Sequence, residues 1–211
     1  RSVWCAWRMY GWCAAWGGAS CSEDDVPSVD AGVSDDMGTV MEKLSTEIVC
    51  VAKKVEASGG GELDLSGVLS IHEWLRISYP TRTDDMRSAA TCFRTGPLQA
   101  RTAPMLADSP GNFVPNFRYR YLSEDVPFGL AVVKSIAQIA NVETPEIDAV
   151  VRWTQAKLGK KYMQNGTLDG PDVGELPIPQ NSGIQTLTDL SDWYLVRAGT
   201  GKSHATLVSY G

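Results

Sequence analysis

The sequence predicts an all-α fold, because several segments place apolar residues at helical spacing while few alternate as a strand does. The pattern is clearest in residues 34–56. Residues 144–162, "TPEIDAVVRWTQAKLGKKY", add the end signals of a helix, with acids in the first turn and lysines in the last. No strand, glycine loop and helix follow one another as a dinucleotide site requires. A bundle of five or six helices is therefore expected.

The N-terminal residues 1–33 are predicted to be an irregular lead-in or the cut boundary of a longer protein. Tryptophan and cysteine are concentrated in "RSVWCAWRMYGWCAAWGGASC", which shows neither a helical nor an alternating period. The segment begins with Arg1 rather than with methionine.

The first predicted helix covers residues 34–56, which begin with Ser34 and two aspartates and are followed by glycines. Its apolar residues recur at helical spacing: Val40, Met41, Leu44, Ile48, Val51, Ala52 and Val55. A second helix is predicted within residues 65–79, stopped by Pro80, and a shorter third within residues 84–93. A loop with four prolines follows, from residue 96 to residue 115.

The second half of the chain predicts three more helices. One starts at Asp125, as an N-cap with Pro127 in the first turn, and runs to about Ala140. The next starts at Thr144, which we expect to act as its cap, and a short one lies near residues 186–196.

Composition disfavours several classes of protein. The formal net charge of −6 argues against a nucleic-acid partner, and no apolar run is long enough to span a membrane. The five cysteines form no C-x-x-C pair, so neither a zinc site nor a closed disulfide framework is indicated. These features fit a protein of the reducing cytoplasm.

Two motifs have weak functional interpretations. "GTGKS" at residues 199–203 resembles a phosphate loop, but Val196 stands where the first glycine is required and too little chain follows for a helix. A flexible tail is the better interpretation. Of the two histidines, His204 has no second ligand at metal spacing, and His72 within "IHEWL" is more often structural than catalytic.

The segment "RYRYLSEDVPFGL", residues 118–130, leaves two interpretations open. Asp125 and Pro127 are typical of a helix start, with the arginines simply exposed. Alternatively, Arg120 offers a fork to a substrate carboxylate, the tyrosines add hydroxyl donors, and Asp125 polarises a base.

Residues 116–163, "NFRYRYLSEDVPFGLAVVKSIAQIANVETPEIDAVVRWTQAKLGKKYM", closely resemble the C-terminal α-helical domain of the octopine/nopaline (opine) dehydrogenases. "DLSGVLSIHEWLRISY" and "RMYG" at residues 8–11 precede this block in the expected order. The resemblance implies a helical bundle of the 6-phosphogluconate dehydrogenase C-terminal type. It assigns residues 34–183 to the substrate domain and leaves residues 184–211 as a tail.

The resemblance also implies a reaction. Opine dehydrogenases join an α-keto acid, often pyruvate, to the amino group of an amino acid and reduce the imine with NADH or NADPH. We expect the Rossmann domain that holds the cofactor to lie outside this chain, so that the chain alone binds no cofactor. The family pattern places a carboxylate-binding arginine at Arg120 and a catalytic aspartate at Asp125, which orients a histidine.

This chain departs from the family at that histidine. Cys5 stands in its place upstream of "RMYG", and a thiol that is mostly protonated near neutral pH is a poor proton shuttle. Two functions therefore stay open. The chain is either the substrate-binding half of an opine dehydrogenase or a non-catalytic module, derived from such an enzyme, that binds an amino acid or a partner protein.

Overall fold

The computed structural model is a helical bundle, as the sequence predicts. It describes residues 3–97 and 101–199, without the side chains of residues 3–5, 14–16 and 196–199. The helices of its first half are α1 (Val3–Trp16), α2 (Asp35–Ser58), α3 (Ile71–Ser78) and α4 (Ala89–Thr95). Those of the second half are α5 (Arg120–Ser123), α6 (Ala131–Ala140), α7 (Pro145–Leu158) and α8 (Leu187–Gly199).

The helix α1 corrects the prediction of an irregular lead-in. It packs against α5, α7 and α2, and most of its described side chains are buried, including Trp7, Met9 and Trp12. A helix that is buried on nearly every side is apolar all round and shows no amphipathic period. The division of the chain at residues 33 and 183 stays a prediction.

The helix α2 confirms the clearest sequence pattern. Ser34 caps it by accepting a hydrogen bond from the Met37 amide at 3.1 Å. Its apolar face packs against α4, α6, α7 and α8. At Gly38 a Cβ atom would lie 2.5 Å from the Cβ of Ala90, so only glycine permits the close approach of α2 and α4.

The helices α3 and α4 begin later than predicted, because a capping box fixes each start. Ser70 and Glu73 exchange hydrogen bonds at the start of α3, and Ser88 and Thr91 do so at the start of α4.

The proline-containing loop contains a β-hairpin that the sequence analysis did not predict. The strands β1 (Met105–Ser109) and β2 (Asn112–Pro115) pair antiparallel. Pro110 and Gly111 form the turn between them, and Gly111 has a positive φ of 77°, as a proline–glycine turn requires.

The helix α6 follows α5 almost without a break, through a π-helical stretch at Val126–Leu130 that we call the wide turn. The helix α7 begins next to Thr144 as predicted, but Thr144 makes no capping hydrogen bond. It ends at Leu158, earlier than the predicted residue 162, because Gly159 takes a left-handed φ of 67°. Glu47 of α2 supplies the cap instead, accepting from the amides of Glu146 and Ile147 at 2.8 and 3.0 Å. Two short 3-10 helices, Val173–Glu175 and Pro179–Ser182, lead to α8.

Thr144 belongs to a buried polar cluster that joins α6 to α7. Lys134 Nζ lies 2.7 Å from Asp148 Oδ1 and donates to Thr144 Oγ1 at 3.1 Å, and that hydroxyl lies 3.2 Å from the same carboxylate. All three residues are buried.

We expect Lys134→Met to lower the free energy of unfolding by about 3–5 kcal/mol, because it leaves the Asp148 carboxylate buried without its partner. Urea denaturation measures the loss. The control is Lys160→Met, which breaks the more exposed pair with Glu175 and should cost about 1 kcal/mol or less. Equal losses in the two variants would contradict this account of the buried pair.

Candidate functional site

The candidate site lies where α5 meets the wide turn. Arg120 begins α5, and Asp125 follows its last turn, with its amide donating to the carbonyl of Arg120 at 3.1 Å. The Arg120 side chain is 62% exposed, whereas Asp125 retains 4% of its accessible surface. The segment thus presents a guanidinium to solvent and holds a carboxyl inside.

Asp125 is not the N-cap that the sequence predicted. It has helical backbone angles (φ −63°, ψ −27°), and its side chain makes no capping hydrogen bond. The helical run already begins at Arg120, so backbone carbonyls satisfy the amides that a cap would bind. The Phe128 amide, for example, donates to the Glu124 carbonyl at 2.9 Å. Capping therefore does not explain an acid at this position.

Burial raises the pKa of Asp125 to about 6, because the charged carboxylate loses hydration. Arg120 and Arg8 oppose the rise and Glu124 adds to it. The Arg120 Nε lies 3.7 Å from Glu124 Oε2, and both side chains are largely exposed. An exposed pair of that length is weak, so the Arg120 guanidinium is available to another anion.

The helix α1 packs against both α5 and the wide turn. Its buried Arg8 pairs with Asp30 and lies over the ring of Phe93, 5.2 Å from the centroid. The second oxygen of Asp30 accepts from Arg101 Nε at 3.1 Å. These contacts fix the height of α1 in the bundle, and sequence analysis missed them because Arg8 and Asp30 belong to no recognisable spacing.

Cys5 lies on α1, three residues before Arg8. Its side chain is outside the part of the chain that the structure describes. The structure therefore brings the helix that carries Cys5 against the segment that carries Asp125.

An aromatic cluster lies beside the site, between α1, α7 and the residues before α5. The Trp153 ring contacts Tyr10 and Phe117 edge to face, with centroids 5.4 and 5.8 Å apart. Lys157 Nζ lies 4.9 Å from the Phe117 centroid. Tyr119 and Tyr121 pack on each other at 4.8 Å.

The weaker motifs lie elsewhere. A ring nitrogen of His72 lies 2.9 Å from the Met86 carbonyl oxygen, as a structural histidine requires. Of the "GTGKS" motif only Gly199 is described, at the end of α8. Residues 200–203 and His204 lie outside the described residues.

The described residues show neither the parallel sheet of a dinucleotide site nor a group of metal ligands. Within residues 3–97 and 101–199 the sheet is a two-stranded antiparallel hairpin, whereas dinucleotide sites use a parallel sheet with a glycine turn into a helix. Over the same ranges, no three His, Cys, Asp or Glu residues are arranged to hold a metal ion. Nor does any helix described there have the length and apolarity to span a membrane.

Comparison with known proteins identifies a family. Residues 12–158 match the model of the NAD/NADP octopine/nopaline dehydrogenase, alpha-helical domain. An opine dehydrogenase of Haliotis discus hannai is 38% identical over 183 residues, which are 86% of this chain and 44% of that protein. A tauropine dehydrogenase of Arabella iricolor is 36% identical over 79% of this chain and 42% of its own length.

Solved structures agree with this match. An octopine dehydrogenase with NADH and L-arginine superposes with a TM-score of 0.83 at 30% identity, over 96% of this chain and 48% of that one. An octopine dehydrogenase with NADH and agmatine superposes with a TM-score of 0.82 at 28% identity. This chain thus spans less than half the length of these relatives.

The raised pKa of Asp125 predicts the sign of a pH dependence. The folded protein holds the Asp125 proton up to about pH 6, whereas the unfolded chain releases it near pH 3.8. Relative to Asp125→Asn, the wild-type free energy of unfolding should therefore be highest below pH 4 and fall by about 1–3 kcal/mol as the pH rises through 6. Urea denaturation of both proteins at pH 4 and pH 7 measures it. A carboxylate that caps a helix gives the opposite sign. If the free energy of unfolding of the wild type rises with pH relative to that of Asp125→Asn, Asp125 is an N-cap after all.

Proposed function

Because this chain belongs to the octopine/nopaline dehydrogenase family, as its α-helical domain, we propose that it binds the substrates of an opine dehydrogenase. The reaction joins an amino acid to an α-keto acid such as pyruvate and reduces the imine with NADH or NADPH. Complexes of octopine dehydrogenase with NADH and L-arginine, and with NADH and pyruvate, support this choice of substrates. In this proposal a Rossmann domain holds the cofactor, and the helical domain acts on the substrates.

The observation that carries the proposal is the Asp125 carboxyl, which is buried and makes no capping hydrogen bond. Burying a carboxyl that makes no capping bond opposes folding. Residues with strongly shifted pKa values cluster at functional sites. Asp125 belongs to the segment against which α1 packs, and α1 carries the position of the family's histidine. With a histidine at that position, Asp125 would fix the orientation of the ring and stabilise its protonated form.

Arg120 supplies the complementary part of the site. Its guanidinium is exposed, and within the described part of the chain its ion pair is the weak contact with Glu124. A planar fork with five donors binds a carboxylate at two points, which fixes its orientation. An α-keto acid and an α-amino acid each offer such a carboxylate. Arg120 therefore binds and orients one substrate, while Asp125 acts through the proton-transfer group.

The second candidate function is a non-catalytic module that binds an amino acid or a partner protein. The observation that favours it is Cys5 at the position of the histidine. A thiol gives Asp125 no imidazole to orient, and proton transfer then fails even if the carboxylate site is intact. Extending the coding sequence upstream of Arg1 separates the two functions most cheaply. A strand, G-x-G-x-x-G and a His-Pro pair in frame would support the enzyme.

A chimera tests the role of Asp125. The N-terminal half of the Haliotis relative, including its histidine, is joined to this chain at Arg8. In an active chimera, Asp125→Asn should lower kcat by about 10²-fold or more, since an amide cannot stabilise an imidazolium. Steady-state kinetics measure it. Unchanged turnover in Asp125→Asn would remove Asp125 from catalysis.

The same chimera tests Arg120. We expect Arg120→Lys to raise the KM of one substrate strongly with little change in stability, because an ammonium cannot reproduce the two-point contact of the fork. Kinetics with each substrate varied in turn identify which carboxylate is bound. Arg118→Lys, a change two residues away on the same exposed segment, is the matched control. Equal effects of the two variants on both KM values would contradict a specific role for Arg120.

A further inference from the structure

The wide turn has a hydrogen-bond pattern that differs from the rest of its helix. The Leu130 amide donates to the Asp125 carbonyl at 3.1 Å, and the Ala131 amide donates to the carbonyl of Val126. Both bonds span five residues, whereas an α-helix spans four. A single π-turn of this kind is equivalent to one extra residue in the helix, and such turns occur frequently at functional sites.

The sequence explains why the turn is wide here. Pro127 has no amide proton, and in a continuing α-helix its ring would clash with the carbonyl of Ser123. The helical run nevertheless continues from α5 to α6, and Val126 and Leu130, at the two ends of the wide turn, are fully buried. The chain accommodates the proline by widening the turn instead of ending the helix.

The extra residue determines which side chain points inward. Each residue turns an α-helix by about 100°. A regular helix, without the extra residue, would therefore rotate α5 and Asp125 by about that angle relative to α6. Phe128 is 65% exposed, the largest hydrophobic side chain of the turn to face solvent. Deleting Phe128 therefore shortens the turn with little loss of core packing.

We propose that the wide turn is the element that aims the Asp125 carboxyl at α1, and that the extra residue of the turn is what positions it. The inference rests on the proposed function for the purpose of this orientation, but the orientation itself is measurable without turnover. Charged groups that act on Asp125 come from both sides, with Arg120 and Glu124 on its own segment and Arg8 on α1.

The test is an NMR titration of the Asp125 carboxyl in the full chain. Wild-type protein should titrate near 6. Deletion of Phe128 removes the extra residue, turns Asp125 away from α1, and should return its pKa toward about 4, the ordinary value. Phe128→Ala keeps the length of the turn and should leave the pKa near 6.

The outcomes separate cleanly. A folded deletion variant in which Asp125 still titrates near 6 would overturn the inference. A lowered pKa of Asp125 in Phe128→Ala would also overturn it, because the ring and not the length of the turn would then be responsible for the burial. If circular dichroism shows that the deletion variant does not fold, one alanine inserted after Phe128 rotates Asp125 the other way. The pKa of Asp125 in this insertion variant should fall toward its ordinary value in the same way, and an unchanged pKa would overturn the inference. An inactive chimera would remove the proposed function and leave this result intact.

Discussion

Side chains of α2 hold the starts of three other helices, and the arrangement of the bundle depends on those contacts. Ser45 Oγ accepts from the amide of Ile71 at the start of α3, and Glu42 accepts from that of Ala89 at the start of α4. Glu47 accepts two amides at the start of α7. A helix start leaves amides without internal partners, and burying them unpaired is costly. Each helix therefore has one favourable position along α2.

The helix α1 is held in a different way. It packs against α2, and its described side chains, residues 6–13, are nearly all buried, so they present no exposed face that would orient the helix. Apolar burial is non-directional, so it does not fix the rotation or the height of such a helix. The bonds from Arg8 and Arg101 to Asp30 are directional and supply both. This is why an ion pair outside the candidate site matters for the position of residues on α1.

The sequence predicts the helices whose signals are local. The start of α2 after Ser34 and the start of α7 at Pro145 follow from helix-start signals and from periodicity. What it misses depends on tertiary contacts. The irregular lead-in is a buried helix without period, and the cap of α7 comes from Glu47, 99 residues earlier in the chain than Glu146. The candidate site divides in the same way, since residue types and resemblance single out Arg120 and Asp125, whereas the burial of Asp125 and the wide turn require the fold.

The burial of Asp125 is the point at which the local rules of this fold conflict. A proline and an acid together are favoured at a helix start, yet here the helical run continues through both. The result is a wide turn and a buried carboxyl that makes no capping hydrogen bond. Substituting an apolar residue at this position would relieve the cost of burying a polar group. Natural proteins break such rules chiefly at functional sites, where stability is given up for chemistry. The fold keeps the Asp125 carboxyl buried in the segment against which α1 packs, at the cost of local stability.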